Sequence, residues 1–179
     1  MNIYKKENEI LCSLNGCPEG WKNLGFDALV TEENKNFVTG FTNGKAVFDQ
    51  QAIANSNQGK KDLLIERIKK EIFEFFQSET KAGVNFLTFN FQAREEDLVR
   101  MNLVISKVAI GGQFAGAWRD RNNKWQQLTI EQLKSLAITA GSFWEQCFQI
   151  SRDLIDELPT LSIEVLANYN VGAKFRAKI

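Results

Sequence analysis

Histidine is absent from this chain of 179 residues. That removes the side chain most used for proton transfer near neutral pH and the commonest ligand of catalytic zinc. Cysteine is scarce: Cys12, Cys17 and Cys147 form no CxxC pair. Their odd number suits a reduced cytosol better than a disulfide framework, with Cys12 to Cys17 the one bridge weighed. Net charge is also missing, with 22 Lys and Arg against 22 Asp and Glu. A chain with so weak an overall field lacks the basic footprint of a nucleic-acid binder, so its expected partners are proteins. No apolar run approaches the roughly 20 residues that span a bilayer. The opening MNIYKKENEI carries charges where a signal peptide needs an apolar core, which predicts synthesis in a cytoplasm and no membrane association.

Proline is likewise rare, at 2 residues, whereas phenylalanine is abundant, at 14. That balance favours an ordered fold rich in aromatic contacts over a disordered adaptor. Short β-like pieces occupy residues 2–5 and 10–14. Phe37 to Thr42 and Lys45 to Asp49 flank Asn43-Gly44, a strong hairpin signal because both turn residues tolerate positive φ. Pro18-Glu19-Gly20-Trp21 reads as a turn carrying an aromatic. The polar stretch QQAIANSNQGK at 50–60 reads as a connector.

From Asp62 to Glu79, Leu64, Ile68, Ile72, Phe75 and Phe76 recur at helical spacing. Gly83 to Gln92 alternates apolar and polar residues, as a strand or tight hairpin does. A helix over 93–110 opens on Glu95, Glu96 and Asp97, whose carboxylates complement the positive end of its dipole, and Gly111-Gly112 stops it. Trp118 and Trp125 enclose a turn-rich Arg-Asn-Asn-Lys segment that suits a second hairpin. Thr129 with Gln132 is a capping-box pattern at the head of a long helix. There Ile130, Leu133, Ala137, Ala140, Trp144, Cys147, Ser151, Leu154 and Leu158 form a heptad seam, with Leu136, Phe143 and Ile150 beside it. Two rows make the apolar face wider than a dimeric zipper needs, which predicts packing against the earlier helices and a neighbouring subunit. Pro159 ends that helix, and a short closing helix follows to Ala167. Residues 171–179 alternate Val171, Ala173, Phe175, Ala177 and Ile179 with Lys174, Arg176 and Lys178, and so predict a half-basic terminal strand, paired with its own sheet or with a partner's open edge.

The predicted architecture is therefore α+β: a small β-rich unit over 1–55, a core of two or three helices with two short β-hairpins over 60–167, and a basic strand or tail over 168–179. Catalytic chemistry finds no purchase in this pattern. The three adjacent carboxylates of 95–97 point around a helix and cannot form a facing acid–base pair. Asp120, between Arg119 and Arg121, reads as a solvated turn with a local ion pair worth little. Gly111-Gly112 closes a helix instead of opening one, so no phosphate loop is present. Cys147 lies on an apolar seam without an activating base. No catalytic, metal or cofactor residue is expected. Trp118, Trp125 and Trp144 serve either as hairpin and core aromatics or as interface anchors, since Trp and Arg dominate the centres of protein interfaces.

The succession Gly83-Val84-Asn85-Phe86 through Gln92, Arg94-Glu95-Glu96-Asp97, Trp118, Asn122-Asn123, Trp125, Leu128-Thr129 and the helix with Cys147-Phe148 and Ile155 resembles a domain-of-unknown-function family. That family is widespread in tailed phages and prophages, among tail-fibre and tail-fibre-assembly genes. The resemblance covers roughly 60–167 and departs from the family pattern at the charged Arg94 to Asp97 junction and in the basic tail. It implies a non-enzymatic structural component of a phage tail, tied to the fibre or baseplate. It further implies tail-protein partners, homo-oligomeric and three-fold association, and a place in the virion after assembly in the host cytoplasm. Partner binding is expected at Trp118, Arg119, Trp125, Lys174, Phe175, Arg176 and Lys178. A tail-fibre assembly chaperone and a small inhibitor of a host defence enzyme are the alternatives.

Overall fold

A computed structural model describes residues 1–6, 9–15, 17–19 and 21–179. The fold is α+β, with strands first and helices with short hairpins after. It divides into two compact units, Met1–Asp62 and Leu63–Ile179.

In the first unit, β1 (Asn2–Lys6), β2 (Glu9–Ser13) and β3 (Lys22–Phe26) form an antiparallel sheet in the order β2-β1-β3. The central strand is covered on both faces: Ile3 and Tyr4, neighbours that point opposite ways, are both buried. β3 is an addition to the sequence reading, because the one strong strand former in its Lys-Asn-Leu-Gly-Phe is the last residue. β4 (Val38–Thr42) and β5 (Lys45–Phe48) make the expected hairpin. Asn43 and Gly44 sit at φ 51° and 79°, as a turn matched to the strand twist requires. Trp21 N–H donates to the Pro18 carbonyl across the expected turn, while Gly20 lies outside the described residues. Met1, Ile3, Cys12, Val30 and Val38 form the core. Beside it the buried Asp27 carboxylate accepts the N–H groups of Ala46 (2.7 Å) and Leu29 (2.8 Å), which hold it below the usual carboxylate range.

The polar stretch at 50–60, read as a connector, is helical and lies just before the division between the two units. It is the first third of a 33-residue helix, α1 (Gln50–Ala82). Three local features outweigh its weak helix formers. Asp49 Oδ1 accepts the Ala52 N–H and caps the start (2.9 Å), and the side-chain pairs Gln51–Asn55 and Gln58–Asp62 bond one turn apart. Nor is there a proline to stop it. α1 ends at Gly83, whose N–H donates to the Glu79 carbonyl and whose φ of 75° serves as a helix C-cap.

The second unit continues with the hairpin β6 (Val84–Phe86) and β7 (Phe89–Phe91), then α2 (Glu95–Ala109), the hairpin β8 (Ala117–Arg119) and β9 (Trp125–Gln127), α3 (Ile130–Glu157), α4 (Ile163–Ala167) and α5 (Val171–Arg176). The capping box at the head of α3 forms as expected: Thr129 Oγ1 accepts the Gln132 N–H, and Gln132 Oε1 accepts the Thr129 N–H. Both apolar rows of α3 are used. Leu133, Leu136 and Ala140 pack with Val84, Phe91, Met101 and Leu128 in one core. Cys147, Ile150, Leu154 and Leu158 pack with Ile65, Ile68, Ile72 and the C-terminal segment in another.

Residues 171–179 do not form a strand. Asn170 Oδ1 accepts the Ala173 N–H at the start of α5, and Val171 and Phe175, one helical turn apart, are buried together. The alternation was that of an i, i+4 pair with Ala173 between its members and Ala177 after it. The Phe175 ring packs at a tilt on Phe75 of α1, with centres 5.1 Å apart.

Two glycines test this reading in opposite directions. At Gly83 an added Cβ would lie 1.9 Å from the Phe91 carbonyl oxygen, in a conformation side chains avoid. Gly59 is exposed, helical and has open space. Gly83→Ala is expected to cost about 3 kcal/mol or more. Gly59→Ala should add about 0.5–1 kcal/mol. Urea unfolding of the two variants checks both signs.

Candidate aromatic and arginine site

The β8–β9 hairpin owes its shape to Asp120. Its Oδ1 accepts the N–H groups of Asn122 and Lys124 (both 2.9 Å), and its Oδ2 accepts the Gln126 amide (2.7 Å). The Lys124 N–H contributes most to holding this carboxyl below its ordinary 3.8; burial, next in size, opposes it, and Gln126, Asn122 and the Lys124 charge add to the lowering. The expected turn forms, with the carboxylate serving the backbone rather than the flanking arginines. Asn123 takes φ 64° to close the turn.

With the turn fixed, Arg119 and Trp125 face each other across the ladder. The Arg119 guanidinium carbon sits 4.7 Å from the Trp125 ring centre, and its Nη1 donates to Asn123 Oδ1 (2.8 Å). Trp125 remains 61 % exposed, whereas Trp118 is half-buried against the core. The Arg121 N–H donates to the Asn90 carbonyl (2.8 Å), tying this hairpin to β6–β7.

These residues border a cavity of about 350 Å³ that also takes in Gln92 and, from α2 and the residue before it, Arg94, Asp97 and Arg100. Arg94 grips Asp97 with two bonds, Nε to Oδ2 at 2.8 Å and Nη2 to Oδ1 at 3.2 Å, and also pairs with Glu96. The first-turn carboxylates thus act through an arginine as well as through the helix dipole. Trp118, Arg119 and Trp125, expected from the sequence, come together here. Arg94, Arg100 and Arg121 were missed; the fold brings four of the chain's seven arginines to this one cavity.

The other expected site residues lie on α5 or just after it, where the three basic side chains stay exposed but pair with carboxylates of the same unit. Lys174 Nζ bonds Glu157 Oε1 (3.0 Å), Arg176 lies over the Phe75 ring and near Glu79, Lys178 reaches Asp153 at 3.9 Å, and Phe175 is buried. Glu157 also accepts the Tyr169 hydroxyl. Burial disfavours its charge, but Tyr169 and Lys174 outweigh that and lower its pKa. Trp144 stacks on Phe148 at 5.2 Å and meets Phe76 edge-on, so it belongs to an aromatic cluster of α1 and α3.

A protein-family model described as Domain of unknown function (DUF4376) matches residues 61–171. The chain belongs to the DUF4376 family. The matched segment of this DUF4376 protein contains every residue that lines the arginine cavity, and it stops at Val171, so Lys174, Phe175, Arg176 and Lys178 lie outside it. No curated protein and no solved structure matches the chain.

As to chemistry, all three cysteines are free, and burial pushes the Cys147 thiol up to about 11, with the Glu79 charge adding to the effect. It stays protonated at neutral pH and is no nucleophile. Among the described residues no group of three or more His, Cys, Asp or Glu could hold a metal ion, and no helix is long and apolar enough to cross a membrane. What the arrangement offers is an aromatic face and guanidinium groups.

The Asp120 turn sets an acid limit on the site. Because its folded pKa lies below the ordinary 3.8, the stabilisation is fully present above that value and is lost as pH falls through the lowered one. Asp120→Asn should flatten the acid limb of a melting-temperature profile and weaken the Trp125 near-ultraviolet dichroism. An unchanged acid limb would show that the carboxylate does not hold the turn.

Proposed function

We propose that the protein is a non-enzymatic component of a phage tail, associated with the fibre or baseplate, that works through protein–protein contacts and assembles with copies of itself. The observation that carries the reading is the exposed Trp125 with Arg119 stacked on it, fixed on a hairpin by a carboxylate that accepts three hydrogen bonds from the hairpin itself. A rigid aromatic and arginine pair, placed beside a cavity, is the composition found at the energetic centre of protein interfaces. The resemblance to a tail-associated family supports the setting. Three ionisable groups that the sequence offered for chemistry are engaged elsewhere: Cys147 is held protonated, Asp97 is gripped by Arg94, and Asp120 is bound to backbone.

Mass spectrometry of purified particles from the encoding element, with cross-linking, tests this. Stoichiometric presence beside fibre or baseplate proteins is expected, and Trp125→Ala should lower that association roughly 30-fold, the loss of a hot-spot residue. Absence from particles with abundance in infected-cell lysate would replace the structural role by that of an assembly chaperone.

A further inference from the structure

We propose that the arginine cavity of the second unit binds a carboxylate-bearing side chain from an acidic segment of the partner protein, a proposal that rests on the protein-contact reading of the hairpin. Four guanidinium groups (Arg94, Arg100, Arg119 and Arg121) and two carboxylates (Asp97 and Asp120) line it, which gives 4 − 2 = +2 in a chain whose net charge is zero. Both carboxylates are already satisfied, Asp97 by Arg94 and Asp120 by the turn amides and Gln126. Arg94 is spent on Asp97 and Glu96, and Arg119 on Trp125 and Asn123. Arg100 and Arg121 remain: both are exposed, and neither makes an ion pair with any described residue. Two guanidinium forks left open at one concavity match the geometry of a carboxylate, which each fork can hold by paired N–H donors.

The identity of the ligand follows from size, charge and surface. A cavity of about 350 Å³ is near the lower end of the roughly 300–1,000 Å³ range of ligand sites, enough for one or two side chains. Fixed carboxylates at Asp97 and Asp120 in the wall repel a dianionic phosphate more than a singly charged carboxylate. The tryptophan faces of Trp118 and Trp125 give the aliphatic stem of a glutamate an apolar bed, while a neutral chain supplies no extended field for a nucleic acid backbone.

Fluorescence polarisation of a fluorescein-labelled glutamate-rich peptide against the full chain tests the assignment, with the glutamine counterpart of the peptide and an oligothymidine as comparisons. The glutamate peptide should bind at least tenfold more tightly than either, and its affinity should fall as salt is raised. Arg100→Ala and Arg121→Ala, both at exposed positions, should each weaken it about tenfold, whereas Arg176→Ala should leave it unchanged. Equal binding of the glutamine peptide, tighter binding of the oligonucleotide, or indifference to both arginine variants would overturn the proposal. If no peptide binds while Trp125→Ala still lowers association with particles, the acidic ligand is wrong and the protein-contact reading stands.

Discussion

The structure of the second unit depends on the width of the apolar face of α3. One helix serves as the common wall of two cores: its first half closes over both hairpins and α2, and its second half closes over α1 and the C-terminal segment. Phe143, at the junction, packs against both. A single heptad seam would cover only one neighbour at a time, whereas two adjacent rows let elements arriving from different directions bury their side chains on the same rod. Fully buried leucines at 133, 136, 154 and 158 each stand for about 2–5 kcal/mol if cut back to alanine, because neither core can collapse around a hole in a wall that the other core also uses. The capping box at Thr129 and the turn at Pro159 fix where that wall begins and ends.

What could be read in advance divides by the range of the signal. Asn43-Gly44, Thr129 with Gln132, and the apolar periodicities of α1, α2 and α3 are local patterns whose physics acts within a few residues, and each was legible. The stretch at 50–60 misled because small polar residues are common both in loops and in exposed helix, and the deciding cap, Asp49, lies just before it. The final nine residues misled because alternation at period two also contains every fourth residue. The Asn170 cap is a local sign of helix there, but the burial of Val171 and Phe175 against α1 and α3 is a tertiary fact. Of the site, the hairpin tryptophans and Arg119 were visible as neighbours in sequence. Arg94 and Arg100 were not, since the chain folds them beside the hairpin through a tie between Arg121 and Asn90 that leaves no mark in composition.

Neutrality of the whole chain conceals a sorting of its cations. On the C-terminal segment, Lys174, Arg176 and Lys178 each find a carboxylate on α1 or α3, so their charge fastens the segment down. Around the cavity beside the hairpin the basic groups are arginines, and the two carboxylates in its wall are already engaged. Charge of one sign is thus used for closure at one end and left available at the other, which a net count cannot distinguish.

The four tryptophans occupy four different settings: Trp21 in the strand-rich unit, Trp118 half-buried, Trp125 under a guanidinium in water, and Trp144 stacked parallel to a phenylalanine. An indole in solvent emits at longer wavelength than one sandwiched among aromatic rings. The molecule therefore carries its own set of separable optical labels, one in the first unit, one in the aromatic cluster and two at the hairpin, without any dye having to be attached.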